Sequence, residues 1–137
     1  MYLPIIDSIN TYITFILLGL IWTIQWVHYP SFHYISKAQF SAFEKFHTQQ
    51  ITWIVAPLMV VEFFLSALLL FLIQSSLKYQ IGFVLVLLIW LCTFFLSVPC
   101  HKKLMVSMDE TIIQRLIATN WWRTILWSVK ALCISVL

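Results

Sequence analysis

Glycine is almost missing from this chain, with two among 137 residues. Loops that cradle phosphates or dinucleotides need several glycines where backbone meets ligand, so nucleotide-binding enzymes of those kinds are excluded. Charge is scarce too, at 9% of residues. The net charge of +3 is spread without a dense basic patch, which argues against nucleic-acid binding. The three cysteines, Cys92, Cys100 and Cys133, have no C-x-x-C spacing and fall in or beside apolar runs. Cys92 and Cys133 read as packing residues, because a free cysteine behaves as a small hydrophobe. No nucleophile elbow, HxxxH or HExxH motif occurs either, and no redox compartment follows from the cysteines.

What the chain has in abundance is apolar surface, 62% hydrophobic and 17% aromatic residues. That composition belongs to an integral membrane protein. Four runs, Thr11 to His28, Ile51 to Ile73, Ile81 to Pro99 and Asn120 to Leu137, reach the roughly 17 to 25 residues that cross a bilayer core. The expected fold is all-α: one domain over 1–137, an integral membrane four-helix bundle with helices at 11–28, 47–73, 81–99 and 120–137. The first run lacks a basic leader and follows Asp7, so it reads as a retained helix rather than a cleaved signal. Lys37, Lys45, Lys102, Lys103, Arg115 and Arg123 cluster on the side of the 29–50 and 100–119 connections, against Lys78 alone in the opposite turn. The positive-inside rule makes the basic side cytoplasmic, with the N and C termini outside.

Along helix 1, Trp22, Gln25, Trp26 and Tyr29 recur at helical spacing and share a face, with His28 nearby; Pro30 stops the helix. The aromatics suit an interfacial belt, but a buried Gln25 needs hydrogen-bond partners. Each cytoplasmic connection reads as a short interfacial helix. Ser36-x-x-Gln39 and Ser107-x-x-Glu110 look like capping boxes. Phe40, Phe43 and Phe46 form an apolar face opposite Lys37, Glu44 and Lys45, and Ile112, Ile113, Leu116 and Ile117 form the second such stripe. On helix 2, His47, Gln50, Ile54 and Leu58 share a face that Glu62 continues, and Pro57 kinks the helix. Helix 3 aligns Trp90, Thr93, Ser97 and His101, where Ser and Thr usually serve helix packing. Helix 4 aligns Asn120, Arg123, Trp127 and Lys130.

Glu62 is an ionisable group inside an apolar run, which costs on the order of 2.5 to 3.5 kcal/mol to insert and calls for a partner. Counting about 1.5 Å per residue, Glu62 lies about 20 Å from its cytoplasmic entrance and Lys130 about 16 Å from its own. A buried Glu62–Lys130 ion pair is therefore one reading, and a Lys130 that snorkels outward is the other. His28, His47 and His101 come to one level near the cytoplasmic face, together with Asn120 and Arg123. Three imidazoles are a candidate set for a zinc, copper or non-haem iron ion, and two of them for a haem. The competing reading is interfacial histidines bonded to loop carbonyls and head groups. Arg123, flanked by Trp122 and Trp127, suits a substrate oxygen or equally a lipid phosphate. His33, beyond Pro30, reads as exposed.

Four stretches taken together, WVHYP (26–30), ITWIVAPLMVVE (51–62), VPCHKKL (98–104) and NWWRTILW (120–127), resemble the anthrone-oxygenase-like group of small four-helix bacterial membrane proteins. The resemblance implies a four-helix bundle in a bacterial inner membrane. For the fungal members it implies oxygenation of a polycyclic anthrone to a quinone. The matching positions are Pro30, Pro99, Asn120, Trp121 and Arg123. The chain departs from the pattern in placing His101 and basic residues after Pro99, where such proteins often carry asparagines.

The leading expectation is redox or oxygenase-type chemistry on a lipophilic, quinone-like small molecule. His47, His101 and Arg123 would be the catalytic groups, Gln25, Gln50, Asn120 and Trp121 the substrate contacts, and His28, His47 and His101 the metal ligands if a metal or haem binds. Two alternatives remain. One is a non-enzymatic accessory subunit in a homo-oligomer or larger membrane complex, and the other a proton or small-solute carrier using Glu62.

Overall fold

The computed structural model describes residues 2–137. It is all-helical. Helix α1 (Leu3–Thr23) starts with Pro4 in its first turn, where the missing N–H costs nothing. It continues through a π-helical turn, Ile24–His28, into a 3₁₀ turn, Pro30–Tyr34. Helix α2 (Lys37–Leu72) is one helix of 36 residues with Pro57 inside it. Helix α3 (Leu77–Cys92), a second π turn (Thr93–Ser97) and α4 (Val98–Leu104) run on as one rod. Helix α5 (Glu110–Val136) closes the chain. Around the bundle α1 touches α2, α2 touches α3, α3 touches α5, and α5 returns to α1.

Several boundaries differ from expectation. Helix 1 begins near residue 3 rather than 11, helix 3 extends from 77 to 104 past Pro99, and helix 4 begins at Glu110 rather than Asn120. The two interfacial helices are not separate elements: their residues form the first turns of α2 and α5. Neither capping box forms as expected. Ser36 does precede α2, but its hydroxyl bonds the Gln39 side chain rather than backbone. Asp109, not Ser107, caps α5, accepting from the Thr111 and Ile112 N–H groups at 2.9 and 3.3 Å. The Thr111 hydroxyl first, then those amides and the charge of Lys103, hold the exposed Asp109 carboxyl below its ordinary value.

Three of the four long helices, Leu3–Tyr34, Lys37–Leu72 and Leu77–Leu104, are long and apolar enough to cross a membrane. The fourth falls short because Asn120, Arg123 and Lys130 interrupt its apolar run. Those three side chains are buried inside the bundle. Phenylalanine, leucine and tryptophan side chains cover much of the outer surface, among them Trp53, Phe64, Phe71, Phe95 and Leu132.

Both π turns stand two residues before a proline. Pro30 and Pro99 lack an N–H, and their rings crowd the carbonyl four residues earlier. A π turn absorbs one extra residue by bonding i to i−5, and Tyr29 N–H donates to Ile24 O at 3.0 Å while Val98 N–H donates to Thr93 O. The bulge also turns the helix faces, since one residue is worth about 100°. The expected Trp22–Gln25–Trp26–Tyr29 face is split lengthwise: Gln25 and Tyr29 are buried, while Trp22 and Trp26 are exposed.

Two apolar clusters hold the bundle. At the basic end Phe32, Phe40, Leu104, Ile113 and Leu116 pack without solvent contact, each contributing roughly 1.5 to 3 kcal/mol where water is the alternative. Towards the chain termini Leu17, Ile21, Met59, Ile89 and Trp127 form the second cluster. Beyond it lies a polar knot. Lys130 Nζ donates to Glu62 Oε1 at 2.7 Å and to Ser66 Oγ at 3.3 Å. Thr14 Oγ1 and Trp127 Nε1 donate to the two Glu62 oxygens at 2.9 and 3.2 Å, and Ser66 Oγ donates to Asn10 Oδ1 at 3.1 Å. Lys130 therefore points inward. At the terminal end Lys78 Nζ meets Asp7 Oδ2 at 3.2 Å, joining α3 to α1.

Candidate functional site

At the basic end α2, α1 and α4 bring Glu44, Tyr29 and His101 into one chain of hydrogen bonds. His101 Nδ1 lies 2.5 Å from Glu44 Oε1, and His101 Nε2 lies 3.0 Å from the Tyr29 hydroxyl. Thr48 Oγ1 also donates to Glu44 Oε1, at 3.1 Å, while Glu44 Oε2 has no partner among the described residues. Glu44 was expected on a solvated face, yet it is fully buried. The buried stripe at the start of α2 is Phe40, Glu44 and His47, spaced four and three, whereas Phe46 is exposed. That spacing was available in the sequence, but a carboxylate among lysines reads by default as solvated.

The ring of His101 can carry a proton in either direction. With Nδ1–H donating to Glu44, Nε2 accepts the Tyr29 O–H; as imidazolium it donates from both nitrogens. Tyr29, grouped in the sequence with aromatics of the interfacial belt, is instead a member of this chain.

His28 and His47 lie close by but in another relation. Their rings are tilted by 32° with centroids 3.9 Å apart, and Phe43 stacks alongside both, 6.2 Å from His47 and 6.3 Å from His28. His101 is 6.1 Å from His47 by ring centroid, and both of its nitrogens are already hydrogen-bonded. The three histidines expected as metal ligands thus share a level without converging on a point. No group of three His, Cys, Asp or Glu side chains among the described residues has metal-holding geometry. His33, expected to be exposed, is so, and pairs with Glu110 at 2.9 Å.

Arg123 is buried and makes no salt bridge among the described residues. Its guanidinium sits over the Trp127 ring at 5.3 Å, whereas Trp122, expected on its other side, is exposed. Nη1 donates to Asn120 Oδ1 at 3.2 Å, with Ser97 Oγ at 3.5 Å, and Nε has no partner among the described residues. Asn120 Nδ2 in turn donates to Gln25 Oε1 at 2.9 Å, and Gln25 Nε2 to the Ile117 carbonyl at 3.2 Å. Gln25 and Asn120, expected as substrate contacts, therefore form a buried strut that orients Arg123.

A cavity of about 380 Å³ opens between α2 and the α3–α4 rod, within the range of small-molecule sites. Tyr29, His47, His101 and Arg123 supply much of its polar wall, and Ile51, Val55, Met59 and Phe94 belong to its apolar wall. Gln50 does not reach it, because its side chain points to the outside of α2. Trp121 does not either: it packs edge-on against Trp22 and Trp26 at 5.7 Å, on the outer surface between α1 and α5. A face predicted from 3.6-residue spacing misplaces Gln50 by one side-chain position, and Trp121 is drawn outward by its aromatic neighbours.

No family model, curated protein or solved structure matches the chain.

Proposed function

We propose that the protein spans a bacterial inner membrane, basic side inward and both termini outward. There it binds a lipophilic, quinone- or phenol-like molecule in the cavity between α2 and α3–α4 and exchanges a proton with it. One observation carries the reading: a buried guanidinium without a carboxylate partner and the Tyr29–His101 end of a proton relay line the same cavity. An unpaired buried cation is costly, and an oxygen-rich ligand offsets that cost. Arg123 would hold a ligand carbonyl or phenolate oxygen. Tyr29, backed by His101 and Glu44, would give or take the proton. His47 would shape the wall beside them.

The resemblance to anthrone oxygenases supports a specific reaction of this type. Proton loss from an activated ring carbon yields a carbanion that dioxygen attacks; one oxygen atom stays as the new carbonyl and the other leaves as water. The relay would take the first proton, and Arg123 would stabilise the enolate oxygen.

The test is ligand binding and turnover in lipid nanodiscs. Quenching of tryptophan fluorescence by a short-tailed benzoquinone should saturate in the wild type and weaken at least about tenfold in Arg123→Gln, the cost of one lost charged hydrogen bond. His101→Gln should keep binding, but with an anthrone as substrate it should lose oxygen uptake by roughly a hundredfold or more. Binding that is unchanged in Arg123→Gln would remove the reading.

A further inference from the structure

Next to the cavity, and nearer the middle of the bundle, a second hollow of about 530 Å³ runs along the outer seam of α2 and α3. Its wall is made of aliphatic and aromatic side chains, and the two hollows share Trp90 and Phe94. Trp90 packs on Phe94 at 5.2 Å and on Phe63 at 6.3 Å. The polar site is thus continuous with a groove on the surface that would face lipid, where Phe64, Leu87 and Leu91 are exposed.

We propose that the ligand is an amphiphile whose oxygen-bearing head lies against Arg123 and His101 and whose long apolar tail lies in the α2–α3 groove. This rests on the reading of the cavity given above. The head reaches the site sideways from the bilayer, because the groove meets the cavity at Phe94 without crossing the bundle. About 20 Å of helical rise separates His101 from Leu87, the reach of an extended tail of roughly fifteen carbons. Apolar contact alone does not select this tail, since lipid chains offer the same contact. Tethering does: a head held at Arg123 keeps its own tail at high local concentration in the groove.

A benzoquinone bearing a tail of about fifteen carbons, with a diazirine near its end, tests this in nanodiscs of phosphatidylcholine. After irradiation and peptide mapping, labelling at Phe64, Leu87 and Leu91 should exceed that at Leu132 and Val136, which are at least as exposed as Leu87 and Leu91, by roughly tenfold. An excess of the same quinone without the diazirine should erase the difference. Leu91→Trp, which fills the groove, should abolish the excess yet leave quenching by the short-tailed benzoquinone intact, whereas Leu132→Trp should change neither. Even labelling of all exposed helix faces while the short-tailed quinone still binds would overturn the tail site and leave the head site standing. Failure of both quinones to bind would overturn the head site, and the tail site with it.

Discussion

Glu62 and Lys130 illustrate how few side chains fix the interior. The carboxylate accepts from Thr14, Trp127 and Lys130, three donors from two helices. Removing one partner of such a pair strands a buried charge, so Glu62→Gln and Lys130→Met are each expected to destabilise by about 3 kcal/mol. The double variant Glu62→Gln/Lys130→Met should recover to within about 1 kcal/mol of wild type, because the stranded charge is gone and the new amide still accepts from Thr14 and Trp127. Unfolding in mixed micelles checks this, and a double variant as unstable as the sum of the singles would contradict the ion-pair account. At this scale the charged and amide residues of α5 could be located from spacing alone, since Asn120, Arg123, Trp127 and Lys130 do share one buried stripe. Glu44 could not, because composition around it favours a solvated reading and only its bond to His101, 57 residues away, explains its burial. The histidine cluster was visible as a shared level, but not as one hydrogen-bonded ring and two rings packed on each other.

Among the elements, the π turns matter most to the site. Each adds one residue ahead of a proline, and past each the helix presents a different face: Tyr29 on one rod and His101 on the other. Because the bulge takes up one residue, deleting Leu96 should return Thr93–Ser97 to α geometry and leave His101 facing Glu44 and Tyr29. Helical circular dichroism and quinone quenching should both stay near the wild-type values; lost quenching would show that the π geometry itself shapes the site. Regular spacing could predict the helices themselves, because three of the four hold a stretch long and apolar enough to cross a membrane. Across the second π turn it did place Trp90, Thr93, Ser97 and His101 on one face, and all four line the cavity; near the first it grouped exposed Trp22 and Trp26 with buried Gln25 and Tyr29. The W-V-H-Y-P and L-S-V-P sequences hold the only local warning, a proline within a helix that does not end there. Interfacial helices were expected where α2 and α5 simply begin, because an amphipathic start and an apolar continuation read as two segments until their backbone is seen to be continuous.

The molecule as a whole has a basic end, an apolar girdle and a polar interior. That distribution predicts orientation. Alkaline phosphatase fused after Leu137 should be active in intact cells, and a fluorescent protein fused there should be dark. Replacing Lys102, Lys103 and Arg115 with glutamine should reduce that phosphatase activity by producing mixed orientations. Fluorescence at the wild-type C-terminus would reverse the assignment and put the site at the outer face.

The polar knot has a further meaning for how such a chain is made. Synthesis delivers the helices in order, and Lys130 emerges 68 residues after Glu62. Until then, Thr14 of α1 is the partner already in place for the carboxylate. Helix α5, with Asn120, Arg123 and Lys130, is too polar to partition into lipid on its own, so it must be recruited by helices that arrived earlier. In a chain inserted helix by helix, Glu62 would be a docking point among the first three helices, and the last helix would join the bundle by answering its charge.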